Sequence, residues 1–272
     1  MKSKKEYTAI GKNKNITKQI VFASYNDDKQ FLEKYFPNIE KIIYEKSDQE
    51  NYKQKIINSK NQLKISDFLN KINDNYFLLP NIGFCSHTYL YHIISNYEKL
   101  ADITIFIAGD CLVEFGPKLE TIKKINDLGV NKMFEDFINL SEEIGKFPPG
   151  YPNIKSSNKE WVSRFKNYYK DIFEEECPAL FTPAIDSTFA ATKEAIQRRP
   201  RSFYENAIKY VDERTYSNFY WADSNKDSIM YRKDNKFKHK TKEYIDWPGC
   251  CMMEHCFQKM FDRNFNNCVK IK

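Results

Sequence analysis

Short apolar runs in the first half of the chain predict strands. They cover Ile20–Tyr25, Lys41–Tyr44 and Asp102–Ala108. The first run ends in three polar turn-forming residues (26–28), and the third ends in Gly109 and Asp110. A continuous apolar run that stops at turn formers is typical of a strand buried in a parallel sheet.

Helical periodicity follows between the second and third runs. Leu90, Ile93, Ile94 and Tyr97 have the spacing i, i+3, i+4, i+7. We therefore expect a helix that Ser86 could cap, with one face packed on the sheet. Strand, helix and strand in this order predict a right-handed βαβ crossover.

The rest of the chain is mainly helical in pattern. We expect helices at Gln30–Tyr35, from about Lys159 to Glu175 and after Gly249, and two weaker helical patterns lie within 117–145. Ser187 or Thr188 could cap a further helix that ends at Arg199, before Pro200. A capping box at Ser202–Glu205 predicts the start of another helix. We interpret the charged stretch 45–75 as an insertion. The overall prediction is an α/β fold, with a flexible basic arm at 1–18 and one domain over 19–272.

Composition narrows the class of protein. Apolar residues make up 41% of the chain and aromatic residues 15%, which is enough for a substantial core. The net charge of +6 comes from Lys residues that are spread diffusely along the chain. A nucleic-acid-binding protein usually has its basic residues clustered, so this distribution argues against nucleic-acid binding. No apolar run is long enough to span a membrane, and no secretory signal is visible, so we expect a cytoplasmic protein.

The cysteines and the abundance of particular amino acids narrow the class of protein little further. The 7 Cys are scattered and form no CxxC pair, which indicates neither a zinc site nor a disulfide framework. The abundance of Asn, Lys and Ile is typical of an AT-rich genome, such as that of a large DNA virus (a giant virus) or a protist.

Several segments together resemble a known family. The first three are residues 21–28, residues 80–97 with the run His-Thr-Tyr-Leu-Tyr-His, and the strand at 102–107. The fourth consists of Phe189, Ile196 and Arg199–Tyr204. The fifth consists of Trp247-Pro-Gly and Glu254–Phe257. In order and spacing over residues 20–262 they resemble the DUF3431 family, which is related to GT-A glycosyltransferases. The resemblance implies a GT-A-like, mixed but mostly parallel sheet flanked by helices. It also implies transfer of a sugar from a nucleotide sugar to a glycan or protein hydroxyl.

The chain departs from that family at two places. Phe84 and Cys85 stand where the family usually carries an Arg-Glu pair after Asn81-x-Gly83. No DxD triplet follows the strand at 103–107, and Asp110 is the carboxylate at its end. These departures leave open a catalytically inactive binding protein that keeps the fold.

Candidate nucleotide-binding residues follow the first strand. Ligands of open α/β sheets bind beyond the carboxyl ends of the strands, where Tyr25, Asn26, Asp27 and Asp28 would lie. Tyr25 could stack on a base, and a carboxylate could accept from ribose hydroxyls. The alternative is a solvated turn with an Asp that caps the next helix.

Two further carboxylates have predicted roles. Asp110 could hold Mn²⁺ or Mg²⁺, or the donor sugar, although an ordinary turn after a Gly and a metal-independent mechanism stay open. Glu254, at the edge of the apolar stripe of the last helix, is the candidate catalytic base. Its alternative is a surface Glu that the dipole of the helix N-terminus favours.

A cluster of arginines supplies candidate cations. Arg198, Arg199 and Arg201 could neutralise the leaving diphosphate if no metal does so. The alternative is that they stabilise the end of a helix.

Overall fold

The computed structural model describes residues 16–25, 27–46, 70–79, 83–109, 119–129, 136–140, 159–178, 188–211 and 247–263. These residues form a seven-stranded sheet with helices on both faces. The predicted arm lies outside the described residues up to residue 15, and so do Asn26 and Asp110. Thr17 and Lys18, assigned to the arm, instead lie against and within the sheet.

The sheet is mixed but mostly parallel. Its strands are β1 (Lys18–Ser24), β2 (Glu40–Lys46), β3 (Asn70–Asn73), β4 (Tyr76–Leu79), β5 (Ile103–Ala108), β6 (Phe137–Asn139) and β7 (Phe189–Thr192). The spatial order is β3-β4-β2-β1-β5-β7-β6. Strands β4, β2, β1 and β5 are parallel, whereas β3–β4, β5–β7 and β6–β7 are antiparallel pairs.

The helices form one layer on each face of the sheet. They are α1 (Gln30–Tyr35), α2 (Phe84–Asn96), α3 (Leu119–Asp127), α4 (Lys159–Phe173), α5 (Lys193–Gln197), α6 (Arg201–Ala207) with a 3₁₀ turn at Ile208–Tyr210, and α7 (Trp247–Phe261). Helices α1 and α3 cover one face, and α2 with α4 to α7 covers the other. None of the helices in the described ranges is long and apolar enough to cross a membrane.

The strand order reverses beside β1, and this reversal defines where a ligand can bind. From β1 the chain adds β2 and then β4 on one side, and it returns to place β5 on the other side of β1. We call the edge where β1, β2, β4 and β5 end the carboxyl edge, and the opposite edge the amino edge. In open α/β sheets the carboxyl edge at such a switch point is the usual ligand site.

Aromatic side chains fill the face covered by α2 and α7. The Phe189 ring lies 4.8 Å from the Phe106 ring and 5.1 Å from the Phe257 ring, measured between centroids. Tyr89 of α2 packs 4.9 Å from Phe106 and completes the cluster. All four rings are fully buried. Their packing fixes β5, β7, α2 and α7 relative to one another.

Several local predictions were wrong. Residues 189–192 form strand β7 rather than part of a helix, and Thr192, not Ser187 or Thr188, caps the short helix that follows. Ser86 is buried inside α2, whose N-cap is Gly83 with a φ of 56°. A side chain there would be strained, and its Cβ would lie 2.6 Å from the Val211 carbonyl oxygen. The positive φ and this contact therefore require a glycine at the N-cap of α2.

Two more elements differ from the sequence interpretation. Helix α6 begins at Arg201 with Pro200 as its N-cap, so Ser202 lies within the helix and forms no capping box. The second weak helical pattern contains β6, whose Phe137 faces the aromatic core. Pairing with β7 outweighs a weak helical preference in so short a segment.

A histidine is fully buried beside β2. The Tyr44 hydroxyl lies 3.1 Å from His92 Nδ1, and the Asn96 amide nitrogen lies 3.3 Å from the same atom. Since that amide nitrogen can only donate, Nδ1 is the acceptor, and the ring proton is therefore on Nε2. Nε2 has no hydrogen-bond partner among the described residues. Burial lowers the pKa of His92 from 6.5 to about 3.

We predict that His92 makes the stability of the fold depend on pH. Between pH 6.5 and about 3 the unfolded chain binds a proton that the folded chain does not, so stability falls as the pH falls through that range. The contribution is about 1.4 kcal/mol for each pH unit. Urea unfolding between pH 4 and 6 should show a shallower slope for His92→Gln than for the wild type. Equal slopes would contradict the prediction.

Candidate functional site

Strands β1 and β5 meet at the carboxyl edge in a close contact between Asp27 and Gly109. A Cβ built on Gly109 would lie 1.8 Å from Asp27 Oδ2 and 2.4 Å from its Cγ. The same Oδ2 accepts a hydrogen bond of 2.7 Å from the Tyr25 backbone N–H. The half-buried Asp27 carboxylate is thus held at the switch point by a local turn and by the absence of a side chain at position 109.

Tyr25 is the exposed aromatic residue of this edge. Its side chain is 43% exposed, and no other large hydrophobic side chain in the described ranges is classed as exposed. Immediately before it, Ser24 is buried at the end of β1. An aromatic ring at a sheet's ligand edge offers a flat surface on which a base can stack.

Asp28 has a local structural partner. Its Oδ1 accepts a hydrogen bond of 2.9 Å from the backbone N–H of Gln30, the first residue of α1. The N-cap of α1 is Lys29, which forms no side-chain capping bond, so the Asp28 bond is an Asx turn that precedes the helix. Of the predicted nucleotide-binding residues, the structure therefore places Tyr25 and Asp27 together at the edge, and Asp28 at the start of α1.

A buried carboxylate lies next to this turn at the end of β2. Glu45 Oε2 accepts from Ser24 Oγ at 2.9 Å and from the Tyr76 hydroxyl at 3.1 Å, and it lies 2.7 Å from Lys29 Nζ. Lys29 Nζ also donates to the carbonyl oxygen of Asp27 at 3.0 Å. Burial and the adjacent charge of Glu45 raise the pKa of Tyr76, so its hydroxyl stays protonated as a donor.

Glu254 lies on the helix that crosses the aromatic face. Near the end of α7 the Phe261 ring stacks on Phe137, at the start of β6 and hence at the amino edge. The C-terminal end of α7 therefore lies at the amino edge. Glu254 is half-buried and lies one turn before Phe257, about 4.5 Å along the helix axis from it and farther from that end of the helix.

A comparison with protein families identifies the chain. The family model described as "Protein of unknown function (DUF3431)" matches residues 20–272. The chain belongs to this family. No curated protein matches the chain, and no solved structure matches it either.

The DUF3431 protein places its arginine cluster at the amino edge, away from Asp27. Thr192, the last residue of β7, pairs with Ile103, the first residue of β5. The next residue, Lys193, donates its backbone N–H to the Asp102 carbonyl oxygen. Helix α5 and the arginines that follow therefore start from the edge opposite the Tyr25–Asp28 turn.

Each of these arginines has partners that stabilise the fold. Arg198 pairs with Asp136 at 3.1 Å and donates to the Phe261 carbonyl oxygen. Arg199 lies 4.4 Å from the Phe203 ring centroid and also over the Phe173 ring. Arg201 pairs with Glu205 at 3.0 Å. The structure does not bring them together with the other predicted site residues. The contacts of Arg198 link α5 to α7 and to the residue before β6, those of Arg199 link α4 and α6, and the Arg201 pair lies within α6.

A metal site is not assembled within the part of the DUF3431 protein that the structure describes. No group of three or more His, Cys, Asp or Glu side chains in these ranges could hold an ion. The predicted ligand Asp110 lies outside the described residues. A magnesium-type site uses one or two carboxylates together with substrate phosphates, and Asp27 is at the edge to supply one. The metal stays a prediction.

Cys177 and Cys256 are poor nucleophiles. Burial raises the pKa of the Cys177 thiol to about 12, and it raises the pKa of the fully buried Cys256 well above 9.0. The reactive form of cysteine is the thiolate, which neither residue forms at neutral pH. Covalent catalysis by these two residues is therefore disfavoured.

Sequence reasoning missed Gly109 as a contact of Asp27, and it missed Glu45 and Lys29 entirely. A signal for Glu45 was present, because it is a carboxylate that directly follows the apolar run at 41–44. A charged side chain at the carboxyl end of a buried strand reaches the usual ligand edge. The contact at Gly109 had no local signal, because Asp27 lies far from it in sequence.

We predict that Gly109→Ala destabilises the protein by displacing Asp27. The new methyl group has no room beside the carboxylate, so the Tyr25–Asp27 hydrogen bond must break, and we expect a loss of about 1–3 kcal/mol in the free energy of unfolding. In an Asp27→Ala background the same change should cost about 1 kcal/mol less, because the clashing group is gone. Urea unfolding of the four proteins measures this, and equal costs in both backgrounds would refute it.

Proposed function

We propose that this DUF3431 protein is a GT-A-like glycosyltransferase, which moves a sugar from a nucleotide-sugar donor to a hydroxyl of a glycan or protein acceptor. The observation that carries the proposal is the pairing of an exposed Tyr25 ring with the Asp27 carboxylate at the switch point of the sheet. The ring suits stacking on the donor base, and the carboxylate suits a ribose hydroxyl.

The architecture supports the same proposal. A mixed, mostly parallel sheet with helices on both faces is what the resemblance to GT-A enzymes implies. Strands β2, β4 and β5 end at the same edge as β1, so the pair of Tyr25 and Asp27 lies at the carboxyl ends of four parallel strands. That is the usual ligand site of an open α/β sheet.

The chemistry of the proposed step needs a base and a leaving group. The acceptor oxygen attacks the anomeric carbon, the bond from that carbon to the donor's phosphate oxygen breaks, and the nucleotide leaves with the bonding electrons. The acceptor proton goes to a carboxylate, and Glu254 is the candidate on α7. Its half-buried side chain, which leaves the carboxylate within reach of solvent, supports this role.

The charge of the leaving diphosphate needs compensation from elsewhere. The arginines at 198, 199 and 201 are paired at the amino edge, so we leave them out of the proposed site. A divalent ion, Mn²⁺ or Mg²⁺, held by Asp110 with the donor phosphates would supply that charge. A metal-independent mechanism is the alternative that the experiment below separates.

A second candidate function is a catalytically inactive binding protein with the same fold. The observation that favours it is the pair Phe84 and Cys85, which stands at the start of α2 in place of the family's Arg-Glu pair. Such a protein would bind the donor through Tyr25 and Asp27 but would not transfer the sugar.

We predict that one nucleotide among UDP, GDP and CMP, or its sugar conjugate, raises the melting temperature of the protein. A ligand at about 100 times its Kd adds about 2.7 kcal/mol of stability, which a thermal-shift screen detects readily. Tyr25→Ala should weaken binding by about 5- to 100-fold, as expected for the loss of 1–3 kcal/mol of base stacking. Arg201→Met, which removes an exposed ion pair at the other edge, is the control and should bind normally.

The same screen separates the alternatives. A shift that needs Mn²⁺ or Mg²⁺ would support the metal site at Asp110, and an equal shift without metal would support the metal-independent mechanism. Release of the nucleotide in the presence of acceptors, lost in Glu254→Gln, would support the transferase. Donor binding without release would favour the binding protein. A flat screen with every nucleotide would reject both.

A further inference from the structure

The Lys29 side chain links the candidate nucleotide-binding turn to the sheet. Its Nζ lies 2.7 Å from Glu45 Oε2 and donates to the Asp27 carbonyl oxygen at 3.0 Å. The Glu45 side chain is 6% exposed and the Lys29 side chain 27%, so the pair is largely shielded from solvent. A charge-assisted contact in such a setting is stronger and more directional than a surface ion pair.

Glu45 is itself held by two strands. Ser24 Oγ at the end of β1 and the Tyr76 hydroxyl at the start of β4 both donate to the oxygen that faces Lys29. The bonds from these two strands thus fix the position of the Glu45 carboxylate independently of Lys29. A site is held most accurately when regular elements, rather than loops, fix the residues behind it.

We propose that Glu45 is a positioning residue for the turn at Tyr25–Asp28, and that it acts through Lys29. The chain of contacts runs from Glu45 to Lys29 Nζ, from Nζ to the Asp27 carbonyl oxygen, and from the Asp27 carboxylate to the Tyr25 N–H. It holds the Tyr25 ring and the Asp27 carboxylate in the geometry that binds a nucleotide. The inference rests on the proposed function for the identity of that ligand, but not for the order of the turn.

A neighbouring ion pair provides a matched control. Lys41 of β2 pairs with Glu33 of α1 at 3.3 Å, and the Glu33 side chain is 73% exposed. This pair also connects β2 with the segment that follows β1, but the Lys41 ammonium group contacts Glu33 and not Asp27. Lys41→Met therefore removes a lysine of the same kind without removing a bond to the turn.

Amide hydrogen exchange at Tyr25 tests the proposal without any ligand. The Tyr25 N–H is protected by its bond to Asp27 Oδ2, so loss of the Lys29 contact should speed its exchange by roughly tenfold or more, as expected for a hydrogen bond to a charged donor. We expect this in Lys29→Met and in Glu45→Gln, with no further increase in the double variant. Lys29→Arg should retain most of the protection, and Lys41→Met should match the wild type.

Two results would overturn the proposal. One is an unchanged rate of amide hydrogen exchange at Tyr25 in Lys29→Met. This variant tests the proposal even if Glu45→Gln does not fold. The other is an equal increase along β1 and β2, for example at Phe22 and Ile43, which would show that the pair only stabilises the sheet.

Nucleotide titration then separates this inference from the proposed function. With UDP, GDP or CMP, whichever shifts the wild type, Lys29→Met should weaken binding to an extent similar to Asp27→Asn. If wild-type protein binds none of them, the proposed function fails, and the exchange rates alone decide whether Glu45 positions the turn. Full nucleotide affinity in Lys29→Met despite faster exchange would overturn the positioning role.

Discussion

The packing of aromatic rings on one face of the sheet is the interaction on which the rest of the structure depends. Phe106, Phe189, Phe257 and Tyr89 belong to two strands and two helices that lie far apart in sequence, and each ring is fully buried against the others. This cluster joins the antiparallel strands β7 and β6 to the parallel part of the sheet. It also packs the second half of α7, which carries Phe257 and Phe261, against the sheet.

The two edges of the sheet use their charged residues differently. At the amino edge Asp136 lies between Arg198 and Arg263, and Arg199 lies over two aromatic rings, so these cations are occupied in joining α5, α6 and α7 to the sheet. At the carboxyl edge Glu45 and Lys29 hold a turn that presents an exposed ring and a carboxylate. The carboxyl edge is also the edge at which ligands of open α/β sheets usually bind.

Much of the fold was predictable from local pattern. The strands β1, β2 and β5, the helix α1 and the two long helices α4 and α7 follow continuous apolar runs or helical spacing strong enough to specify them. The errors lie where the local signal was weak. Strand β7 spans 4 residues and is a strand because β5 and β6 supply its hydrogen bonds on both sides. Helix α2 has Gly83 rather than Ser86 as its N-cap, and the positive φ and the nearby Val211 carbonyl oxygen leave no room for a side chain at that position.

The sequence by itself determined the class of fold, the buried strands and the residues that follow β1, because apolar periodicity and turn chemistry are local properties of the chain. It also contained the family resemblance that the match over residues 20–272 bears out. Only the tertiary structure decided which charged residues share an edge. Strand order and direction place Asp27 against Gly109 and Glu45 beside Lys29, and they send the arginines to the opposite edge. Such proximity depends on long-range pairing of strands, which no local pattern of residues encodes.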